Sequence, residues 1–419
     1  MCRSLYYIFV FSTIWMACTP GKRSTMHRKI DKTIHQNTLL KRVLDSFEKY
    51  ESQVIYTQID RDKNNNPSFK SYYWNHHPRH YFYPASTVKM PVALLAAEKI
   101  NKLRKSKPQI HLFSPLKIMA AHSPQTSAYA DSTSPNALPS VGHFIKKIFI
   151  VSDNDAYNRL YEFMGQQEIN QRLQSMGYDL HILHRLDAPE FDTESNKYTN
   201  PIELYEEDLN LYSQGEKYNN LDQRITDLTN LKKGIGYIKN DHQINEPFDF
   251  SSKNYISLQS LHAMIQAVLF PESISEDKRF NIADHDMEYI RTQMSKLPRE
   301  SKYPLYDSTH ADGYCKFFMY GDNKKRIPDF IRIFNKVGWA YGYLTDAAYI
   351  VDFKNNVEFI LSATINTNTD GIYNDGKYEY ETIGLPYLSK LGALFYDFEL
   401  KRKKKHIPDL SKFKLNYTE

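Results

Sequence analysis

The sequence of 419 residues predicts an α+β fold, with a five-stranded antiparallel sheet flanked by helices and a mostly helical lobe beside it. Three observations indicate this fold. Two strand-like segments occur early in the chain and three more near its end. An apolar helix accompanies each group, and the long stretch between the groups is mostly helical and loop-like. We expect a cleft between sheet and lobe, and a site within it.

The composition is that of a globular protein. Hydrophobic residues make up 41% of the chain and charged residues 25%, which excludes a disordered or fibrous protein. A formal net charge of +5 is small for this length and gives no argument for a nucleic-acid partner. The spacing of the cysteines, Cys2, Cys18 and Cys315, excludes a zinc ribbon and a disulfide scaffold. We expect no cofactor and a monomer.

The first residues have the pattern of an export signal. Arg3 precedes an apolar run over residues 5–16, which is too short for a bilayer core that needs about 20 residues. Cys18 directly follows Ala17, an order typical of lipoproteins. We therefore predict a signal peptide over residues 1–17, lipidation of Cys18, and an exported, periplasmic protein anchored to a membrane. A plain cleaved signal and a buried N-terminal segment are the alternatives.

The elements that follow are predicted in chain order. Residues 18–36 are basic, carry Ser and Thr and lack an apolar period, so they are interpreted as a tether. Apolar side chains at helical spacing predict a helix over residues 38–50. Strands over residues 54–59 and 69–74 surround an Asn-rich turn, and a long helix over residues 86–103 comes next.

Three strands and a helix close the predicted domain, which spans residues 37–400. The strands cover residues 331–337, 347–353 and 357–365, and the helix covers residues 380–398. Residues 401–419 begin with five consecutive basic residues and are interpreted as a solvated tail. Binding of that run to an anionic lipid or wall polymer is the less favoured alternative.

A serine and a lysine stand one turn apart at the start of the long helix. Lys89 follows Ser86 by three residues, so both side chains lie on one face. Backbone N–H groups at the helix N-terminus favour negative charge near Ser86. A serine hydroxyl is a poor nucleophile until a base takes its proton, and Lys89 can do so if burial lowers its pKa. On its own, the pair is more simply explained as a helix cap.

Two further motifs follow in the chain. Ser152, Asp153 and Asn154 lie between an apolar run and the next helix, and taken alone they are typical of an N-cap. Lys336 lies on the first of the three late strands, and Gly338 follows two residues later. Taken alone, this pair is an ordinary end to an edge strand.

Together, the S-x-x-K, S-D-N and K-x-G motifs resemble in type and order those of the penicillin-recognising serine hydrolases, specifically the class A beta-lactamases. The resemblance covers roughly residues 38–398 and includes the order of the strands. It implies an exported hydrolase that forms an acyl-enzyme and hydrolyses a beta-lactam amide. In this comparison Ser86 would attack the carbonyl carbon, Lys89 would activate it, and Ser152 would relay a proton to the leaving nitrogen.

The resemblance also implies the residues that hold the substrate. Asn154 would bind its side-chain amide, and Lys336 would supply positive charge for its carboxylate. The backbone N–H groups of Ser86 and Trp339 would form the oxyanion hole, with Gly338 between Lys336 and Trp339 on the strand. Removing one such donor typically lowers the rate by about 10²–10³-fold.

The sequence departs from this family at two points and matches it only in part at a third. Val337 stands where the family carries threonine or serine, so a hydroxyl that helps to bind a carboxylate is missing. The segment from Arg185 to Glu190 resembles the start of the family's omega loop and places Glu190 where the water-activating glutamate is expected. An ordinary surface carboxylate is the alternative for Glu190. A long insertion over about residues 191–256 then forms a cleft wall or a lid.

Two alternatives to beta-lactam hydrolysis remain open. The same nucleophile can act on a peptide or ester, as in a D,D-peptidase of cell-wall peptides, which Val337 and the unsettled role of Glu190 favour. The other alternative is a lipid-anchored scaffold without catalysis. The expected partners are a small-molecule or peptide substrate and a membrane. Two groups of potential metal ligands lack a known ligand spacing and are interpreted as solvated turns: His76, His77 and His80, and Asp284, His285 and Asp286.

Overall fold

The structure is a computed structural model that describes residues 25–221, 225 and 227–418. The predicted signal peptide over residues 1–17 and the predicted lipidation of Cys18 lie outside these residues. Inside them, no helix has the length and apolar character needed to cross a membrane. The predicted fold class is confirmed, because an antiparallel sheet of five strands is combined with helices on both of its faces.

The part of the chain that the structure describes contains eleven α-helices: α1 Thr25–Gln36, α2 Thr38–Leu44, α3 Phe47–Tyr50, α4 Lys89–Arg104, α5 Val141–Val151, α6 Asn154–Met164, α7 Gln166–Ser175, α8 Leu258–Leu269, α9 Asp284–Ser295, α10 Phe317–Tyr320 and α11 Leu385–Lys401.

The strands of the same residues are β1 Gln53–Arg61, β2 Pro67–Trp74, β3 Leu116–Ile118, β4 Leu180–His181, β5 Tyr198–Thr199, β6 Ile202–Glu206, β7 Leu209–Gln214, β8 Lys217–Tyr218, β9 Lys232–Lys233, β10 Gly236–Lys239, β11 His242–Ile244, β12 Phe248–Asp249, β13 Tyr255–Ile256, β14 Ile331–Ala340, β15 Tyr343–Asp352, β16 Val357–Asn366 and β17 Ile372–Tyr373.

The five predicted strands form the main sheet, in the order β14–β15–β16–β1–β2, and all neighbours are antiparallel. Successive side chains point to opposite faces, as pleating requires. On β15, Tyr349 and Val351 pack against the helical lobe, while Ile350 packs against the terminal helices. All three are fully buried, and burial of one such side chain contributes about 1.5–3 kcal/mol. Strand β14 is one edge of this sheet and β2 is the other.

The N-terminal tether predicted for residues 18–36 is wrong where the structure describes it. Residues 25–36 form α1, which packs against the terminal-helix face of the sheet. Ile30 and Ile34, one turn apart, are buried, and the Trp74 indole N–H donates to Asp31 at 2.6 Å. Two isoleucines among charged side chains suffice for an amphipathic helix, because the sheet supplies the rest of the apolar surface.

The solvated tail predicted for residues 401–419 is also wrong over its described part. Lys401 ends α11, and Arg402 donates from Nε to Glu399 at 2.9 Å and from Nη2 to the backbone oxygen of Ile59 at 2.8 Å. Leu410 and Phe413 are buried in the apolar core between sheet and lobe. Apolar residues beyond the basic run therefore hold this segment on the domain.

The described residues of the insertion predicted over about residues 191–256 form short strands and loops. Nine strands, β5 to β13, end or lie within it, and the longest has six residues. Strand β6 pairs with β3, and β10 pairs in parallel with β17, which follows the main sheet in sequence. Strands of two to six residues carry too little alternation to be predicted.

A buried carboxylate fastens the insertion to the main sheet. Glu51 follows α3 and accepts from Tyr343 on β15 at 2.7 Å and from Lys233 at 2.6 Å. Asn230 donates to its second oxygen at 3.1 Å, and His80 Nε2 lies 3.2 Å from the first. Burial opposes ionisation, but the hydrogen bond of His80 and the charge of Lys233 outweigh it and lower the pKa of Glu51 to about 2.

Replacing Glu51 by glutamine is expected to lower the free energy of unfolding by about 3 kcal/mol, because Lys233 then stays buried without a counter-charge. Urea unfolding at pH 7 measures this, and Glu246→Gln, an exposed change on the same insertion, is the control. Because ionisation of Glu51 is favoured by folding, its contribution is present above its ordinary pKa of 4.5 and is lost as the pH falls from there towards 2. Equal stability of variant and wild type at pH 7 would contradict the proposed role.

Candidate active site

Ser86 lies on a tight turn that faces the cleft. One turn of 3₁₀ helix, Ala85–Val88, leads into α4. Ala85 has a φ of 47°, in the left-handed region that a residue with a side chain adopts only at a cost in energy. Ala85, Thr87 and Val88 are buried, and Ser86 is left at the cleft surface. The turn therefore presents one hydroxyl on a rigid base.

Lys89 lies below this turn and is fully buried. Its Nζ donates to Asn154 Oδ1 at 2.6 Å and to the backbone oxygen of Ser152. Burial, and then the positive charge of Lys336, lower the pKa of Lys89 well below its ordinary value. A neutral amine has two N–H bonds, and these two acceptors engage both of them. Its lone pair then remains available to accept a proton, as activation of a serine requires.

Ser152 connects two lysines. It ends α5 with a φ of 61°, while the Asp153 carboxylate caps α6 by accepting from Ala156 N at 2.7 Å. The Ser152 hydroxyl oxygen accepts from Lys336 Nζ at 2.8 Å, and Lys89 Nζ lies 3.3 Å from the same oxygen. Because this oxygen accepts from Lys336, the hydroxyl proton is available for a group in the cleft.

A buried polar network supports Lys336 from behind. Asn335, its neighbour on β14, donates to Asp346 at 2.8 Å and accepts from Lys316 at 2.6 Å. The Cys315 backbone oxygen accepts from Asn335 at 2.9 Å. Burial raises the pKa of Asp346 to about 7 and lowers those of Lys316 and Lys336 to about 8. These mutual hydrogen bonds hold the end of β14 in place.

Gly338 brings the edge strand against the serine turn. A Cβ on Gly338 would lie 2.3 Å from the backbone oxygen of Pro84 and 3.2 Å from the backbone N of Ser86. No side chain fits there without movement of backbone. Trp339 follows on the strand, lines the cleft and is 44% exposed. The strand and the turn thus bring the residues predicted for the oxyanion hole, Ser86 and Trp339, to the same cleft.

Val337 does not face the cleft. Its side chain is buried in the apolar cluster that includes Phe317 and Leu344. At the position where the family carries a hydroxyl, this chain therefore has a valine side chain that packs in the core. The groups on this strand that can bind a carboxylate are Lys336 and the neighbouring backbone.

Glu190, predicted as the water-activating base, is exposed and does not line the cleft. Asp187, three residues earlier, does line it, and Asn154 Nδ2 donates to its carboxylate at 3.4 Å. Asp187 has a φ of 51°, and the loop before it is fixed by Arg185, whose Nε donates to the buried Glu162 at 3.1 Å. Asp187 was not predicted from the sequence, although it follows Arg185 by two residues in the segment that resembles the omega loop.

The cleft has a volume of about 1360 Å³, larger than the roughly 300–1000 Å³ of most small-molecule sites. One wall is the loop over residues 183–193, and the opposite wall is the end of β14 with Tyr341. Beyond that loop, the predicted insertion contributes residues 196–197, 220–221, 249 and 251–253 to the lining. It is therefore part of the cleft wall.

Neither group of potential metal ligands is a solvated turn. His77 packs on the ring of Phe47, with centroids 4.4 Å apart, and His80 pairs with Glu51. Asp284 begins α9, and the Asp286 carboxylate accepts from Arg104 at 2.9 Å. Among the described residues, no three His, Cys, Asp or Glu side chains are grouped so that they could hold a metal ion.

Comparison with known proteins adds a family and several similar structures. Residues 37–284 match the family described as the Beta-lactamase enzyme family. A beta-lactamase from Burkholderia phymatum is 13% identical, covers 90% of this chain and 100% of its own, and has a TM-score of 0.48. One from Burkholderia ambifaria is 14% identical over 84% of this chain and 97% of its own, with a TM-score of 0.43. One from Xanthomonas campestris pv. campestris is 12% identical over 88% and 98%, with a TM-score of 0.44. No curated protein matches the sequence.

Proposed function

The chain belongs to the beta-lactamase enzyme family, and from this premise we propose that it is a class A-type serine hydrolase that opens a beta-lactam amide through an acyl-enzyme on Ser86. The observation that carries the proposal is the position of the Ser152 hydroxyl between the amines of Lys89 and Lys336. Two buried amines around one hydroxyl, both with lowered pKa values, are an arrangement suited to proton transfer.

Acylation follows from these contacts. Lys89 takes the proton of the Ser86 hydroxyl, and the oxygen attacks the carbonyl carbon. The negative charge that develops on the carbonyl oxygen is stabilised by the backbone N–H groups of Ser86 and Trp339. As the amide C–N bond breaks, Ser152 gives its proton to the nitrogen and regains one from a neighbouring lysine.

Deacylation needs a base for water, and Asp187 takes this role in our proposal in place of Glu190. Its carboxylate lies at the cleft beside Asn154, which also holds Lys89, so it is adjacent to the acylated centre. Removal of a general base typically lowers a rate by about 10²–10⁴-fold.

Replacing Asp187 by asparagine is expected to leave acylation within about threefold and to slow loss of the acyl group by about 10²-fold. Glu190→Gln is the matched control and is expected to change neither step. Both rates follow from intact mass against time after mixing with benzylpenicillin. Fast deacylation in Asp187→Asn together with slow deacylation in Glu190→Gln would show that Glu190, and not Asp187, is the base that activates water.

Benzylpenicillin tests the central proposal directly. Incubation is expected to add the mass of one penicillin to the protein, and peptide mapping is expected to place it on Ser86. The adduct disappears as penicillin is consumed if the protein is a beta-lactamase. If no adduct forms and no penicillin is consumed, beta-lactam hydrolysis is refuted.

A second candidate is a D,D-peptidase, favoured by the size of the cleft and by the apolar position of Val337. An extended peptide fills a large cleft better than a small lactam does. For this candidate the penicillin adduct persists for hours, and a peptide ending in D-Ala-D-Ala is cleaved.

Export and lipid anchoring through Cys18 are also part of the proposal. The basic start, the short apolar run and the position of Cys18 after Ala17 support them. Fractionation of cells that express the full chain, beside Cys18→Ser, tests them. A wild type that stays in the cytoplasm would refute them.

A further inference from the structure

We propose that Lys253, carried into the cleft by the insertion, forms a subsite for a negatively charged group on the acyl side of the substrate. This inference rests on the proposed function, because it concerns the same cleft and the same acyl donor. It names a substrate class: acyl donors whose side chain bears a carboxylate.

A row of aromatic rings connects the serine turn with Lys253. Tyr83 lies three residues before Ser86, and its ring meets that of Tyr341 edge to face, with centroids 4.9 Å apart. Lys253 Nζ lies 5.6 Å from the centroid of Tyr341 and 5.9 Å from that of Phe248. A ligand group that extends from the serine along these rings therefore reaches the ammonium group.

The other cations on the cleft wall already have carboxylate partners. Arg185 pairs with Glu162 at 3.1 Å, and Lys197 pairs with Glu194 at 2.9 Å. Lys253 is half-buried and has no carboxylate within 4.0 Å among the residues that the structure describes. Its ammonium group lies over two aromatic rings, those of Phe248 and Tyr341. An anion from a ligand is the partner that this site lacks.

The carboxylates of the cleft are occupied elsewhere. Asp192 accepts from the backbone and hydroxyl of Ser195 at 2.7 Å, and Asp249 accepts from the backbone N of Ser251 at 2.8 Å. Asp187 accepts from Asn154. None of them neutralises Lys253, although all three make the rest of the rim unfavourable for an anion. Within this part of the rim, Lys253 is therefore the position that suits a carboxylate on the side chain of an acyl donor.

Lys253 belongs to the acyl side of the cleft. The pKa of His184 is lowered to about 4, first by burial and then by the positive charge of Lys253. Lys253 therefore lies close to this loop residue. The loop leads to Asp187, the proposed deacylating base. Ser152 and Lys336, which serve the leaving nitrogen, belong to other elements. A charge next to Lys253 is therefore carried by the acyl part that stays on Ser86.

Three penicillins that differ at one side-chain carbon test this. Benzylpenicillin is neutral at that carbon, carbenicillin carries a carboxylate there, and ampicillin carries an ammonium group. The rate constant of acylation is measured for each by rapid quenching and intact mass. In Lys253→Gln, the ratio of the acylation rate constant for carbenicillin to that for benzylpenicillin is expected to fall about fivefold. A change of this size is typical of the loss of an ion pair that is exposed or half-buried. Lys253→Glu is expected to lower the ratio further and to favour ampicillin.

Matched variants separate this contact from general charge. Lys239→Gln removes an exposed cation of the same insertion outside the cleft and is expected to leave the ratio unchanged. Lys253→Arg keeps the positive charge and is expected to retain the wild-type ratio. Added salt is expected to weaken the preference, since screening acts on a pair that water reaches. An equal ratio in wild type and Lys253→Gln, or an equal fall in Lys239→Gln, overturns the proposal.

Binding without reaction separates this inference from the proposed function. Calorimetry compares carbenicillin and benzylpenicillin on Ser86→Ala and on the Ser86→Ala/Lys253→Gln double variant. If the wild type is never acylated, beta-lactam hydrolysis fails, but a fivefold weaker binding of carbenicillin alone in the double variant still supports the subsite. If neither penicillin binds Ser86→Ala, or both lose affinity equally, the subsite is refuted.

Discussion

Replacing Ser86 by alanine is expected to abolish the penicillin adduct and to lower the rate of penicillin hydrolysis by about 10⁴-fold or more. The hydroxyl of Ser86 is at the cleft surface, three residues from a buried amine whose pKa is lowered. No other group at that position can form the ester bond. Intact mass and the consumption of penicillin measure both effects on the same sample.

Ser252→Ala is the matched control, because Ser252 lies on the rim of the same cleft. It is expected to keep both adduct and turnover. The melting temperature of Ser86→Ala should equal that of the wild type within a few degrees, since the change removes one oxygen from a side chain at the surface. An adduct that persists in Ser86→Ala would place the nucleophile elsewhere and refute the assignment.

Replacing Gly338 by alanine is expected to lower the rate of acylation by about 10³-fold, although no reacting group is removed. The new Cβ would lie 2.3 Å from the backbone oxygen of Pro84, so the strand and the serine turn must move apart. This displaces both donors proposed for the oxyanion hole, and the loss of each donor lowers a rate by about 10²–10³-fold. Overpacking of this kind also destabilises a protein by about 1–3 kcal/mol.

The acylation rate constant with benzylpenicillin and the midpoint of urea unfolding measure the two effects of Gly338→Ala. Gly215→Ala is the matched control, because a Cβ at Gly215 meets no atom within 4 Å. That variant is expected to match the wild type in both measurements. Unchanged acylation in Gly338→Ala would show that the close approach of strand and turn has no part in catalysis.

The main sheet was predictable because its strands are long and their neighbours share buried faces. Each of β14, β15 and β16 has ten residues, nearly all of them buried, and such long segments rich in β-branched and aromatic residues are typical of strands. Helix α1 was not predictable from the sequence, because its buried apolar face consists of two isoleucines and needs the sheet as its packing partner. The strands of the insertion were too short to leave a pattern.

Part of the site was predictable from motif order alone. The structure brings Lys89, Ser152, Asn154 and Lys336 into direct contact, although they come from three distant parts of the chain. That Asp187 lines the cleft and Glu190 does not was not predictable, because loop geometry, and not sequence spacing, turns Asp187 towards Asn154. The position of Lys253 depends on how the insertion folds back, which no local pattern encodes.

The docking of α1 shortens the reach of the proposed membrane anchor. A chain extends by at most about 3.6 Å per residue, so an anchor at Cys18 and a domain that begins at Thr25 are separated by at most about 25 Å. Had residues 18–36 all been tether, the limit would have been about 65 Å. An anchored molecule would therefore sample only a thin layer beside the bilayer, and it would meet substrates as they pass the membrane surface and not in the depth of the compartment.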